Sequence, residues 1–292
     1  MGIFPQKRQK SRQSSQLLKV RSLIGERNPS SPFDSAQELE VKHSWPRAAR
    51  IYENLVSGNE LSEQTTAEAL DRMGRAYYHA SFHANSTRRF QSNIHRAIVA
   101  HRKAGTLYGS MGESGVARNF RCRAMDAYLA FWLTKDPSSK KRLLHQSWTL
   151  AKNAMRRFRK ENDAANLAET FSMFAPAVPV LLNFERTASK RIAMFEEAIR
   201  YGRSAIGLTP HNVKDKRSIV KVYVRMATLI DALRSEHDQA QGQESLREEG
   251  REYWRRAIGV DREAALAELP RPLEDSSRLS TIVSLWVFGR MR

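Results

Sequence analysis

Apolar side chains recur every three or four residues over most of this chain, which is the period of an α-helix with one buried face. In residues 140–160 the apolar positions form a single stripe, made of Leu144, Trp148, Ala151, Met155 and Phe158. The segment before it, from Ala124 to Leu133, is apolar nearly all round. Strand-like alternation does not occur. We therefore predict an all-α fold in which fully buried helices alternate with amphipathic ones.

Capping residues, prolines and glycines divide this pattern into successive helices. Ser35-Ala-Gln-Glu38 has the sequence of a capping box, and Pro46 suits the first turn of the next helix. Gly109, Gly112 and Gly115 predict an inter-helix turn, because neither a strand nor a Gly-Lys-Ser/Thr ending supports a phosphate loop. The later predicted helices span 65–83, 90–108, 116–134, 137–160, a segment from 162 interrupted at Pro176 and Pro179, 188–207, 214–235 and 244–268.

A buried-type small residue recurs about every fifty residues, at Ala49, Ala104, Ala154, Ala205 and Ala257. Around these alanines an aromatic or aliphatic residue lies close by, with basic residues nearby and then a turn. A fixed period of this length in a helical chain indicates stacked helical hairpins. We predict a right-handed α-solenoid of about five hairpins over residues 34–269, with the alanines forming a seam where the helices of a hairpin approach closely.

One segment carries a family signature. Residues 70–77, Leu-Asp-Arg-Met-Gly-Arg-Ala-Tyr, resemble the first helix of a tetratricopeptide repeat, and Ala97, His101 and Ala104 follow at the second-helix spacing. The resemblance covers roughly residues 40–268. The period near fifty, rather than thirty-four, is similar to the long-helix, attachment-protein-like variants of this superfamily. It implies partner binding on a concave face and brings no catalytic residue with it.

The two flanks differ from this helical region. Residues 1–33 hold no acidic residue before Glu26, and we predict a disordered basic tail and linker. Nuclear or organellar targeting by that tail is the alternative to a plain solvated segment. Residues 270–292 follow two prolines and are predicted to be a Pro-broken segment that docks as a helix or continues in a longer protein. The single cysteine, Cys122, favours a reducing compartment, so we expect a cytoplasmic protein.

The net positive charge of the chain is large and is unevenly distributed along the sequence. The net charge is +18; residues 1–31 hold seven basic residues against one acidic, and residues 111–160 hold twelve against three. We predict a partner- or anion-binding basic surface in the second region. A solvated face with surplus charge is the alternative. The candidate residues are Arg118, Arg121, Lys140, Lys141, Lys152, Arg156, Arg157, Arg159 and Lys160.

The sequence contains few candidate catalytic or metal-binding motifs. His79 and His83 lie one turn apart, with His95 on the next helix, and could in principle surround a metal ion. No cysteine or carboxylate stands at ligand spacing beside them, so we give them a structural interpretation and predict no metal site. Cys122 lies between two arginines on a largely buried helix, which favours an inert thiol. We accordingly expect no cofactor and no catalysis, although an all-α stack could house an enzymatic site that leaves no motif.

These observations predict a non-catalytic helical-repeat scaffold or adaptor for protein–protein interaction, with an acidic partner. The alternative is a nucleic-acid-associated protein that binds phosphate backbone through the basic tail and the 111–160 repeat. Integral membrane insertion is not expected, since the sequence has no run of about eighteen apolar residues.

Overall fold

A computed structural model of the chain describes residues 31–58, 61–209, 216–236 and 240–268. Within these ranges the secondary structure is entirely helical, which confirms the predicted all-α class. The predicted tail up to residue 30 and the predicted segment from residue 270 lie outside the described residues. The helices are α1 (Pro32–Val41), α2 (Trp45–Ser57), α3 (Glu63–Ser81), α4 (Thr87–Ser110), α5 (Val116–Leu133), α6 (Pro137–Lys160), α7 (Ala164–Phe174), α8 (Ala177–Leu182), α9 (Ala188–Leu208), α10 (Lys216–Arg234), α11 (Ala240–Val260) and α12 (Arg262–Ala267).

The helical region begins earlier than its predicted start. Ser31 caps α1: its hydroxyl accepts from the amide of Asp34 at 3.1 Å, and the Asp34 carboxylate accepts from the amide of Ser31 at 3.2 Å. The predicted capping box at Ser35 is wrong, because Ser35 already lies inside α1. Pro32 occupies the first turn, where its missing amide leaves no donor unsatisfied.

Two further boundaries depend on local chemistry. The glycine turn is confirmed at two of its three residues: Gly112 has φ +63°, and a Cβ at Gly115 would clash with the carbonyl oxygen of Tyr108. The third, Gly109, lies inside α4. The predicted helix over 244–268 is interrupted. Asp261 ends α11 and caps α12, with its carboxylate accepting from the amide of Ala264 at 2.9 Å.

Consecutive helices pack as pairs. The most extensive contacts join α3 with α4, α5 with α6 and α10 with α11, while α4 also packs on α5. The shorter α7 contacts α6, α9 and α10. Most helices therefore pack mainly on their neighbours in chain order, as short connections between antiparallel helices favour, whereas the short α8 also packs on α6.

A continuous hydrophobic core follows these pairs from Ala36 to Tyr253. The apolar stripe of α6 is buried along its whole length, and α5 is buried over most of its surface from Ala124 onward, as the sequence predicts. The five alanines of the fifty-residue period are all completely buried. Close helix approach needs small buried residues of this kind.

Four helices, α3, α5, α7 and α10, contact one another through large side chains, and we call them the inner helices. The ring of Tyr128 lies 6.0 Å from that of Tyr78 on α3 and 6.3 Å from that of Phe174 on α7. A Cβ at Gly202 of α9 would clash with both Met226 on α10 and Phe171 on α7. Side chains therefore fill the space between the inner helices.

Candidate functional site

The most deeply buried charges lie where α3, α4, α5 and α7 meet. Asp71 and Arg121 are 1% and 3% exposed, and Arg121 Nη2 donates to Asp71 Oδ2 at 2.6 Å. Arg121 Nη1 donates to Asn166 Oδ1 at 2.6 Å and to Glu169 Oε2 at 2.9 Å. One guanidinium thus ties three inner helices together. We name the buried charge cluster by its members: Asp71, Arg75, His101, Arg121, Cys122, Asn166 and Glu169.

Two guanidinium groups balance the two carboxylates of this cluster. Arg75 forms an ion pair with Glu169 and lies 4.0 Å from Asp71 Oδ2. Burial alone would raise the pKa of Asp71, but Arg121 and then Arg75 hold it well below its usual value. The carboxylate therefore stays ionised inside the protein, and pairing is what makes such burial tolerable.

Asp71, His101 and Cys122 are the group within the described ranges whose ligand atoms could surround a metal ion, all lying within 4.8 Å of one another. Asp71 Oδ1 is 3.1 Å from His101 Nδ1 and 3.7 Å from Cys122 Sγ. Burial and the charge of Asp71 raise the pKa of the Cys122 thiol well above its usual value, which disfavours the thiolate that metals bind. A divalent cation here would also face two guanidinium groups. We interpret the cluster as a structural network of ion pairs and hydrogen bonds that holds the packed helices together.

The tetratricopeptide-like signature contributes directly to this packing. The imidazole of His101 lies against the backbone of α3 at Gly74, where a Cβ would stand 2.7 Å from His101 Nε2. A glycine at this position is therefore required for α4 to approach α3 with a buried histidine between them. Tyr77, the last residue of the signature, is buried and donates to Glu53 at 2.9 Å.

His79 packs as the sequence interpretation predicts. Its ring stacks on Trp45 with a centroid distance of 4.3 Å. Burial, and then the charges of Lys221 and Arg75, lower the pKa of His79 to about 3. The other two histidines of the sequence hypothesis, His83 and His95, are exposed.

Two of the predicted basic-surface residues lie inside the protein, so their assignment to an accessible surface is wrong. Arg121 faces α3 and α7, where it belongs to the buried charge cluster. Lys140 is 8% exposed, and its Nζ lies 5.6 Å from the centroid of the Phe131 ring. Burial lowers the pKa of Lys140. Both long side chains cover apolar surface, which a count of charges along the sequence does not reveal.

Most of the remaining predicted residues connect one helix to another. Lys152 pairs with Glu197 at 2.9 Å, Arg157 with Glu113 at 3.1 Å, Lys141 with Glu185 at 3.6 Å, and Arg118 with Asp163 at 3.7 Å. Arg156 Nε donates to Tyr201 Oη at 3.1 Å. Arg159 and Lys160 are exposed and form no ion pair within the described part of the chain. Most of these predicted surface residues therefore bind a residue of another segment of the fold.

These residues also do not form one patch. Lys141 is the fifth residue of α6 and Lys160 is its last, so about 28 Å of helix separates them at about 1.5 Å per residue. The basic residues predicted as one surface are therefore spread along α6, from Lys141 through Lys152 to Lys160.

A different basic surface lies where α4, α6 and α9 begin. Phe82, at the end of α3, brings these ends together: its ring lies 6.2 Å from that of Phe90 and 5.5 Å from that of Trp132. Lys141 Nζ donates to the carbonyl oxygen of Phe184 at 3.2 Å, which adds the start of α9. We define the basic end surface by six exposed residues at these ends: Arg88, Arg89, Lys135, Arg142, Arg186 and Lys190.

None of the six residues of this surface was among the predicted candidates, yet the sequence contains a signal for it. Residues 87–160 hold seventeen basic residues against three acidic ones, and neither α4 nor α6 contains an acidic residue. A count of charge by helix, rather than by the glycine-marked repeat, would have included Arg88 and Arg89. Which end of the hairpins carries them depends on helix direction, which the count alone does not give.

Comparison with protein-family models and with curated proteins finds no match to this chain. The tetratricopeptide-like resemblance therefore stays a prediction from the residues. None of the helices in the described ranges combines the length and apolar character needed to cross a membrane.

Proposed function

We propose that this chain is a non-catalytic, right-handed α-solenoid of tetratricopeptide-like hairpins that serves as a scaffold or adaptor for an acidic protein partner. The observation that carries the proposal is a recurring number of residues between ion-paired partners. Arg121 contacts Glu169, 48 residues on, Lys152 contacts Glu197, 45 residues on, and Arg203 contacts Glu249, 46 residues on. Contacts between equivalent places of successive hairpins are what a stacked repeat requires.

The buried charge cluster supports a structural rather than a catalytic role for the polar interior. Its thiol and carboxylate are buried among α3, α4, α5 and α7, and the carboxylate already accepts from a guanidinium. A nucleophile needs an adjacent base, an exposed approach and a low pKa. The pKa of the Cys122 thiol is raised rather than lowered, which is unfavourable for a nucleophile.

The partner is proposed to bind outside the inner helices. The family resemblance implies a concave groove, but Tyr78, Tyr128 and Phe174 occupy the space between inner helices with their rings. The basic outer surfaces remain, and they favour an acidic partner through long-range attraction. A reducing, cytoplasmic setting belongs to the same proposal, supported by the free, buried Cys122.

Binding to nucleic acid is the second candidate, favoured by the excess of seventeen basic over three acidic residues in 87–160. Contacts to phosphate would make affinity fall steeply with salt. The rings of Phe90, Phe131 and Trp132 pack on one another or on neighbouring rings, which leaves them poorly placed to stack on bases.

The test is capture by the full chain from nuclease-treated lysate at about 50 mM salt, followed by elution with rising salt. We expect acidic proteins to be retained and to elute as salt rises, and free polyglutamate to compete with them. Retention lost on nuclease treatment would favour the nucleic-acid function. No retained protein even at low salt would contradict the scaffold proposal.

A further inference from the structure

The basic end surface is compensated by few acidic groups. Three carboxylates lie nearby within the described residues, and all three are engaged. Glu236 pairs with Arg191, in the first turn of α9, at 2.8 Å. Asp136 accepts from the hydroxyl of Ser138 at 2.7 Å and the amide of Ser139 at 2.8 Å. Glu185 is half-buried beside Lys141 and His145. The six residues that define the surface form no ion pair with any described residue, so their charge is available to a partner.

The backbone adds positive potential at the same end. The helices α4, α6 and α9 all begin there, and each has more than twenty residues. The amides of the first turn carry partial positive charge that favours carboxylates. Ser86 and Asp136 cap two of these helices, whereas Thr187 makes no side-chain cap on α9. Exposed arginines and helix starts therefore act in the same direction.

The opposite end of the same hairpins differs in charge. There Arg157 pairs with Glu113 and Arg118 with Asp163, and Glu63 accepts from Ser110 at 2.7 Å. Several basic groups are compensated by acidic ones at that end, where Arg159 and Lys160 of α6 remain without an ion pair among the described residues. A partner attracted by charge would therefore meet its strongest attraction where α4, α6 and α9 begin.

We propose that the basic end surface is the docking site for an acidic segment of the protein partner, bound in extended conformation across the starts of α4, α6 and α9. This proposal rests on the scaffold function above. The helices α6 and α9 contact each other, and packed helices lie about 8–10 Å apart, which an extended chain spans in about three residues at ~3.3 Å each. A segment with a carboxylate at every third residue would place one at each of these two helix starts and offer further ones toward the start of α4.

A peptide fits this surface better than a nucleic acid. The six cations are grouped by helix start, with Asp136 next to Lys135 at the start of α6 and Glu185 next to Arg186 before α9. A continuous phosphate backbone would meet these two carboxylates, whereas spaced side chains pass them. The neighbouring rings of Phe82, Phe90 and Trp132 contact one another, so stacking adds little for bases.

The experiment measures fluorescence anisotropy of a labelled peptide of about twelve residues, with Glu at every third position and Gly or Ser between, titrated with the full chain. A second peptide has the same composition with its glutamates contiguous. A labelled single-stranded oligonucleotide of similar length is the third probe. The test variant is Arg88→Glu, Arg142→Glu and Arg186→Glu together. The matched control is Arg123→Glu, Arg159→Glu and Arg200→Glu, which reverses three exposed arginines elsewhere.

We expect the spaced peptide to bind more tightly than the contiguous one. The test variant should weaken its binding at least about tenfold, and the control variant within about twofold, since charges outside the contact act weakly through salt. Circular dichroism checks that each variant folds. If the triple variant does not fold, Lys135→Glu with Lys190→Glu takes its place and should weaken binding in the same direction.

Three outcomes would overturn the inference. Equal weakening by test and control variants would show that charge acts without a defined surface. Tighter binding of the oligonucleotide, lost in the test variant, would assign the surface to phosphate. Absence of peptide binding, together with salt-sensitive capture of acidic proteins unchanged by the test variant, would remove this docking site and leave the scaffold function standing.

Discussion

Ion pairs occur in two contrasting settings in this protein, the buried charge cluster between inner helices and an exposed ladder along α11. In the cluster, Arg121 reaches Asp71 at 2.6 Å, and both are almost completely buried. In the ladder, Arg255 reaches Glu248 at 2.5 Å and Glu252 at 3.0 Å, with all three side chains 43–59% exposed. The distances are similar, but the surroundings are opposite.

The comparison shows that the distance between two charges does not by itself determine how much an ion pair contributes to the stability of the fold. Water and salt screen the ladder, whose partners lie within one helix and can exchange one for another. The cluster joins α3 to α5 across 50 residues, and loss of one partner would leave an unpaired charge without water. The cluster therefore fixes how α3, α4, α5 and α7 pack together, and the ladder mainly keeps α11 solvated.

The largest expected effect comes from removing Arg121. Arg121→Met keeps a long apolar stem but leaves Asp71 and Glu169 without their shared donor. We expect a loss of about 3–5 kcal/mol in the free energy of unfolding, measured by urea denaturation. Arg123→Met, two residues along and exposed, is the matched control and should change stability little. Equal stability of the two variants would mean that the cluster contributes no more than a surface charge.

An intermediate effect concerns His79, a half-buried ionisable group that is neutral rather than paired. Its pKa of about 3 in the folded protein lies below the unfolded value of about 6.5. Between these values the unfolded chain binds the extra proton, so stability is full above about pH 6.5 and falls as pH falls. His79→Phe should keep the stack on Trp45 and reduce this slope by at most about 1.4 kcal/mol per pH unit.

The measurement is urea denaturation at several pH values from about 4 to 7. His95→Phe, which alters an exposed histidine of α4, should retain the slope of the unaltered protein. An unchanged slope in His79→Phe would show that this ring is protonated in the folded state as readily as in the unfolded chain.

The smallest effect is expected in the ladder. Arg255→Ala removes two exposed ion pairs from α11, but solvent replaces them and Arg251 remains near Glu248 at 3.6 Å. The urea midpoint should stay within experimental error at both low and high salt. A clear loss of stability that disappears at high salt would instead show that the ladder acts as a network.

The sequence predicted much of this fold and little of its polar interior. Periodicity placed the buried stripe of α6, from Leu144 to Phe158, because a helix must bury its apolar face. The buried charge cluster was not predicted, since Asp71, His101 and Cys122 come from three helices and no local pattern links them. The capping box at Ser35 failed for a related reason: Ser31 and Asp34 offered the same chemistry four residues earlier, beside a proline.

The sequence by itself determined that this protein is all-α, where most helices begin and end, and that charge is concentrated in residues 87–160. Local propensity, periodicity and capping act within a few residues, so the chain encodes them directly. Only the tertiary structure decided which cations are buried, which are paired and which remain at the starts of α4, α6 and α9. Those outcomes depend on the rotation and direction of each helix against its neighbours, which are fixed by packing between residues about fifty positions apart.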